Sequence, residues 1–210
     1  MEHLSEFRGK HVSFHYEDPS SLLKLQQTVC SLVSDLNPGW SRPLVLLCIG
    51  TDRATGDCLG PLVGTRLKAI CSRVEVFGNL DHPVHATNLE ETMLDVYKAF
   101  PHALIGAVDA CLGNTDRIGF INVRAGSLKP GTALKKSLPE VGDFHISGVV
   151  NVGGFLEQMV LQNTRLSLVY RMADLIAKGL YLAHSSISRH LSAAGEARVP
   201  VRDLASEGHR

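Results

Sequence analysis

The chain has 210 residues, 44% hydrophobic and 20% charged, a size and balance that suit one globular domain and exclude a disordered chain, a collagen-like repeat or two full catalytic lobes. Lysine plus arginine equals aspartate plus glutamate at 21 each, and 6% of residues are aromatic. That leaves no surplus charge for a nucleic-acid backbone or an anionic membrane, and no aromatic platform for unstacked bases.

Residues 1–19, rich in histidine and without periodicity, read as an arm that is loosely ordered or docked. Its first residues carry acids where a signal peptide would be basic, so a cytoplasmic protein is expected. Leu22, Leu25, Val29, Leu32, Val33 and Leu36 recur at helical spacing and predict a helix over Ser20 to Leu36, ended by Asn37-Pro38-Gly39. Pro43 to Ile49 is a continuous apolar run, as in a strand covered on both faces. A helix follows from about Asp57 to Cys71, with Pro61 tolerable only in its first turn.

Arg73 to Gly78 predicts a second strand, and Asn88 with Glu91 opens a helix running to about Phe100. Ala103 to Val108 is a third apolar run, and Arg117 to Val123 alternates like a strand. This succession implies a mostly parallel sheet with crossover helices. Residues 125–147 read as a long, functional excursion, and residues from Asn151 to Ser188 as one or two helices. A frayed tail is expected over 193–210, so a single domain would span 20–192. No apolar run is membrane-spanning, since Phe155 to Leu182 is broken by Glu157, Arg165, Arg171, Asp174 and Lys178. Five cysteines without CxxC spacing fit free thiols.

The densest polar signal, Gly50-Thr-Asp-Arg-Ala-Thr-Gly-Asp-Cys-Leu-Gly-Pro61, lies between a buried strand and a helix, at the edge where open α/β sheets bind ligands. It lacks the endings of phosphate-binding loops, and an acid there would repel a phosphate. Asp57 is either a helix cap or a reactive carboxylate, and Asp109 either ends a strand or joins it. If the two converge at about 4 Å, with an effective dielectric near 20, they repel by about 4 kcal/mol, roughly three pKa units. One would then hold a proton and the other activate water against an amide. His145 is a third candidate, as a loop residue or as the partner completing a divalent-metal set with Asp57 and Asp109. His82 and His85, in a proline-containing turn, are weaker metal candidates. No GxSxG elbow is present, and Cys111 has no local base. Asn151 and Arg165 are polar groups in apolar surroundings, suited to substrate contact or to pinning loops.

Gly50 to Gly64, Ala107 to Gly113, Val149 to Phe155 and Leu161-Gln-Asn-Thr-Arg-Leu166 together resemble the YyaC-like sporulation proteins, described as spore-protease-related, over about residues 20–182. The placement of Asp57 and Asp109 is similar to that of the two aspartates of the germination protease and, more distantly, to the carboxylates of hydrogenase maturation endopeptidases. Gly50-Thr-Asp-Arg53 departs from the Gly-Asn of those relatives and leaves Asp52 as an extra acid. The resemblance implies a three-layer α/β/α fold of the phosphorylase/hydrolase type. It implies an aspartate-dependent peptidase of sporulation or germination, with Asp57 and Asp109 catalytic and Asp52, His145, Asn151 and Arg165 supporting. It implies a peptide or spore-protein substrate, with a nickel-type site in which His145 is the counterpart ligand and a second copy of the chain as open questions. The alternative is a non-catalytic sporulation factor using the same pocket to bind a peptide or protein.

Overall fold

The computed structural model describes residues 11–130 and 139–196. Its elements are β1 (His11–His15), α1 (Ser21–Leu36), β2 (Leu44–Cys48), α2 (Leu59–Ile70), β3 (Glu75–Phe77), α3 (Leu89–Ala99), β4 (Leu104–Gly113), β5 (Phe120–Ala125), β6 (Phe144–Val152), α4 (Glu157–Gln162) and α5 (Leu166–Glu196). A short 3-10 turn, Gly56–Cys58, precedes α2 and another, Thr115–Arg117, precedes β5.

Six strands form one mixed sheet in the order β1-β5-β6-β4-β2-β3. β6, β4, β2 and β3 are mutually parallel, while β5 runs antiparallel between β6 and β1. The α/β architecture inferred from the alternation of strand and helix patterns is therefore the one the protein has. Apolar stripes of α1, α2 and α5, including Leu25, Val29, Val63, Leu67, Met172 and Ile176, cover one sheet face against Leu46, Val108, Ile121, Phe144 and Ile146. The opposite face is covered over β2 and β4 by α3, through Leu89, Met93 and Val96 on Val45, Leu47, Ile105 and Ala107. Among the described residues the second helical layer thus spans only part of the sheet.

Four local expectations need correction. Residues 11–15, inside the presumptive arm, are the edge strand β1, paired with β5. Phe144–Val152, assigned to the end of an excursion and the start of a helix, is the long strand β6. Its Phe144, Ile146 and Val150 point to one core while His145 and Ser147 occupy the other face, so it alternates where a doubly covered strand would be apolar throughout. Asp109 lies within β4, not beyond its end. The start of the expected tail, residues 193–196, continues α5; the rest, with residues 131–138 of the excursion, lies outside the described residues. Among the described residues no helix is long and apolar enough to cross a membrane. All five cysteines are free.

Candidate active site

The chain leaves β2 towards β3 on one side and leaves β4 towards β5 and β6 on the other. The crevice between the carboxyl ends of β2 and β4 is therefore a topological switch point, where the diverging loops leave room for a ligand. Asp57 follows β2 and Asp109 lies on β4, so both belong to this crevice.

Backbone bonds fix its walls. The Ile49 amide donates to Val108 O at 2.7 Å, and the Gly50 amide donates to Val84 O at 2.8 Å. Gly50 has φ +136°, and a Cβ there would lie 1.9 Å from the Asp57 carbonyl oxygen, so only glycine lets the loop fold back on itself. The Thr51 amide is then held by Asp57 twice, through the carbonyl at 3.2 Å and through Oδ2 at 3.0 Å. Asp57 does not cap α2: neither the 3-10 turn nor α2 has a side-chain cap bond. The capping alternative falls, and the carboxylate is held by its own loop.

Asp109 is 6% exposed, and its Oδ1 accepts from the Ala110 amide at 2.7 Å. Burial pushes its carboxyl well above the usual carboxylate range, and the neighbouring charge of Asp57 pushes it further. Burial also raises Asp57, opposed by the Thr51 amide and by His85. Both carboxyls are thus raised, Asp109, the more deeply buried, by the greater amount.

His85, which the sequence offered only as a weaker metal candidate, is the histidine whose charge acts on Asp57. A parallel bridge between Ile49 and Val84 carries the turn after β3 to the carboxyl edge of β2. There the His85 amide donates to Asn88 Oδ1 at 2.8 Å, and Nδ1 lies 2.9 Å from Thr87 Oγ1. Pro83-Val84 continues in the direction of β3, and loops after neighbouring parallel strands share one edge, which is the signal that could have placed His85 here.

The other expected residues divide. Asp52 is exposed on the Asp57 loop, and its charge, after burial, helps push the Cys58 thiol up to about 11. His145 stands opposite Ala107, whereas Asp109 stands opposite Ser147, and its Nδ1 is engaged by Gly126 O at 2.9 Å. The histidine whose charge acts on Asp57 is His85. Among the described residues no group of three His, Cys, Asp or Glu side chains is placed to hold a metal ion. Asn151 Nδ2 donates to Thr164 Oγ1 at 3.2 Å and Val160 O at 3.4 Å, and its Oδ1 accepts from the Val152 amide at 2.8 Å, so it ties β6 to α4. Arg165 is exposed before α5, and its backbone carbonyl accepts from Leu168 and Val169. Burial pushes the Cys111 thiol up, which disfavours the thiolate a nucleophile needs.

A groove of about 660 Å³ opens beside His85, lined by Phe77, Gly78, His82, Pro83 and Asn88 among others. On the opposite flank Phe155, 82% exposed, stands with Leu156 and Met159 on the surface. Leu161 of α4 touches the Asp57 loop at Gly56, where a Cβ would come within 2.8 Å of it.

The fold is similar to that of a NiFe hydrogenase maturation protease, HycI from Thermococcus kodakarensis KOD1, with a TM-score of 0.39 and 21% identity over 70% of this chain and 99% of that one. The uncharacterized protein YyaC of Bacillus subtilis (strain 168) is 50% identical over 157 residues, 74% of this chain and 76% of the relative. The family model described as protein of unknown function DUF1256 matches residues 13–179, and the chain belongs to that family.

Proposed function

We propose that this protein is an aspartate-dependent peptidase. The observation that carries the proposal is the placing of two carboxyls at the switch point of the sheet, Asp109 buried on β4 with its carboxyl raised by burial and by Asp57, and Asp57 held by Thr51; in the proposed pair Asp109 holds the proton. Asp57 takes a proton from a water whose oxygen attacks the peptide carbonyl carbon. Asp109 gives its proton to the departing amide nitrogen as the C–N bond breaks. The products are a carboxylic acid and an amine, and proton exchange with water resets the pair. His85 favours the charged form of Asp57. The groove beside His85 is of the size that holds a few side chains of an extended peptide.

A cytoplasmic role in sporulation or germination, with spore proteins as substrates, belongs to this proposal on the resemblance to the YyaC-like proteins. The test is incubation of the purified protein with spore proteins and a mixed peptide pool, read by mass spectrometry. Wild type cleaves, and Asp57→Asn and Asp109→Asn each lower kcat/KM by about two to four orders of magnitude. Cleavage unchanged in both variants overturns the mechanism. The exposed Phe155, Leu156 and Met159 beside the crevice favour a second reading, a non-catalytic factor that docks a protein partner there. A stable complex with uncut substrate would favour that reading.

A further inference from the structure

The groove beside His85 runs along the free edge of the sheet. Among the described residues β3 is the last strand in the order and pairs only with β2. The groove is lined by Glu75, Val76, Phe77 and Gly78 in succession, by Lys68 of α2 and by Asp95 of α3. α2 packs on one face of the sheet and α3 on the other. A groove walled by both helices and floored by the whole of β3 therefore opens onto the outer edge of that strand. Val76 turns into the larger core and Phe77 towards α3, the alternation of a regular strand. The turn and loop bonds of the described residues include none to the backbone of residues 75–78. The outward N–H and C=O groups of this edge are those that another strand would pair with.

The groove is also acidic. Its lining holds the carboxylates Glu75, Asp81 and Asp95 against a single lysine, Lys68. Asp95 lies 3.5 Å from Lys98, whereas Glu75 and Asp81 enter no ion pair among the described residues. Glu75 shares a strand face with the half-buried Phe77, whose ring stands edge-on to Phe100 at 6.2 Å between centroids. A carboxylate beside an aromatic ring on one face suits a long basic side chain, with its methylenes on the ring and its charge at the acid. At the other end His85 lines the groove and its charge acts on Asp57, so the groove leads to the carboxyl pair.

We infer that an extended peptide carrying lysine or arginine is seated in this groove as an added strand on β3, with its basic side chains at Glu75 and Asp81. The inference rests on the peptidase reading for the fate of the peptide beyond His85, but not for its seating. Main-chain bonds to the strand edge fix the register, and charge selects the occupant. A second copy of the chain pairing through the same edge would bring these carboxylates together, and a polynucleotide would bring phosphates to them. Neighbouring strands lie about 4.8 Å apart, so the added strand is about 10 Å from β2, the length of about three residues of extended chain. Because the Asp57 loop follows β2, the seated basic residue stands about three or more residues from the bond to be cut.

Full-length protein is titrated with short, fluorescently labelled, end-blocked peptides that carry a Lys-Ala-Lys segment, or the same segment with both lysines acetylated. A second set places an N-methyl group on one backbone amide at a time. Anisotropy reads binding, and mass spectrometry reads cleavage in parallel. The lysine peptide binds about fivefold tighter than the acetylated one, and the advantage shrinks as salt is raised. Glu75→Gln and Asp81→Asn, both at exposed positions, reduce it with the circular dichroism spectrum unchanged. N-methylation weakens binding by about fivefold at every second residue of the seated segment and little between, because alternate amides of an added strand face β3. Equal affinity for the lysine and acetylated peptides, an advantage untouched by both variants, or N-methyl losses without the two-residue period overturns the inference. Selective, periodic binding without cleavage of any peptide upholds this inference and counts against the peptidase reading. Cleavage without preference for lysine and without the period does the reverse.

Discussion

At the scale of single residues, Asp109 is the group whose chemistry the fold alters most. Its carboxyl is raised in the folded protein, so the native state binds a proton that the unfolded chain releases above the ordinary aspartate range. From the unfolded pKa up to the folded one, stability therefore falls as pH rises. Asp109→Asn removes that dependence. Its melting temperature should exceed that of wild type at neutral pH, with the difference closing as pH drops towards 4 (the unperturbed pKa being about 3.9). Scanning calorimetry across that range checks the sign, and a variant less stable at neutral pH would contradict the assignment. For activity, the pair requires Asp57 ionised and Asp109 protonated, which gives a bell-shaped profile with both limbs above the usual carboxylate range. Because His85 holds Asp57 down, His85→Gln should move the acidic limb to higher pH and leave the alkaline limb nearly in place.

At the scale of elements, the site depends on how tightly the Asp57 loop is folded against its own strand. Gly50→Ala would combine a positive φ with a Cβ 1.9 Å from a backbone oxygen, and should cost at least about 2 kcal/mol, read as a lower urea midpoint. Asn151→Ala should cost about 1 kcal/mol by releasing β6 from α4, and should lower kcat with the shape of the pH profile unchanged, because its side chain is spent on Thr164, Val160 and Val152. What could be read beforehand follows the same physics. Leu44 to Ile49 and the stripes of α1, α2 and α3 declare themselves, since each buries a regular apolar pattern against a helix layer. β6 did not, because its second face carries the polar His145 and Ser147 and it follows a stretch rich in Gly, Pro and Lys. Asp57 and Asp109 were legible as acids beside apolar strands. His85 was not, since its position depends on the Ile49–Val84 bridge, a long-range pairing that no local spacing encodes.

At the scale of the whole molecule, the uneven layering sets how the protein should unfold. The larger core joins all three long helices to both halves of the sheet, with Leu25, Leu67 and Ile176 meeting Leu46, Ile121 and Phe144. Trp40, the single tryptophan, packs on the same core from the connection between α1 and β2. The β1 and β5 strands, although antiparallel additions at one edge, enter that core through Phe14, Ile121 and Val123. No element of this core can open without exposing the others, so unfolding should be a single transition. Urea curves followed by Trp40 fluorescence and by far-ultraviolet circular dichroism should coincide, and separated midpoints would show that the β1 and β5 edge melts on its own. Phe144, fully buried between the helical layer and the strands, is the sharper probe. Phe144→Ala should lower stability by about 3–5 kcal/mol, with the midpoint of both curves falling together and the denaturant slope unchanged. The carboxyl pair shares that fate, because Asp109 is on β4 between β2 and β6, and β6 begins with Phe144. Activity in rising urea should therefore vanish along the same curve as the fluorescence signal, in the variant as in the wild type.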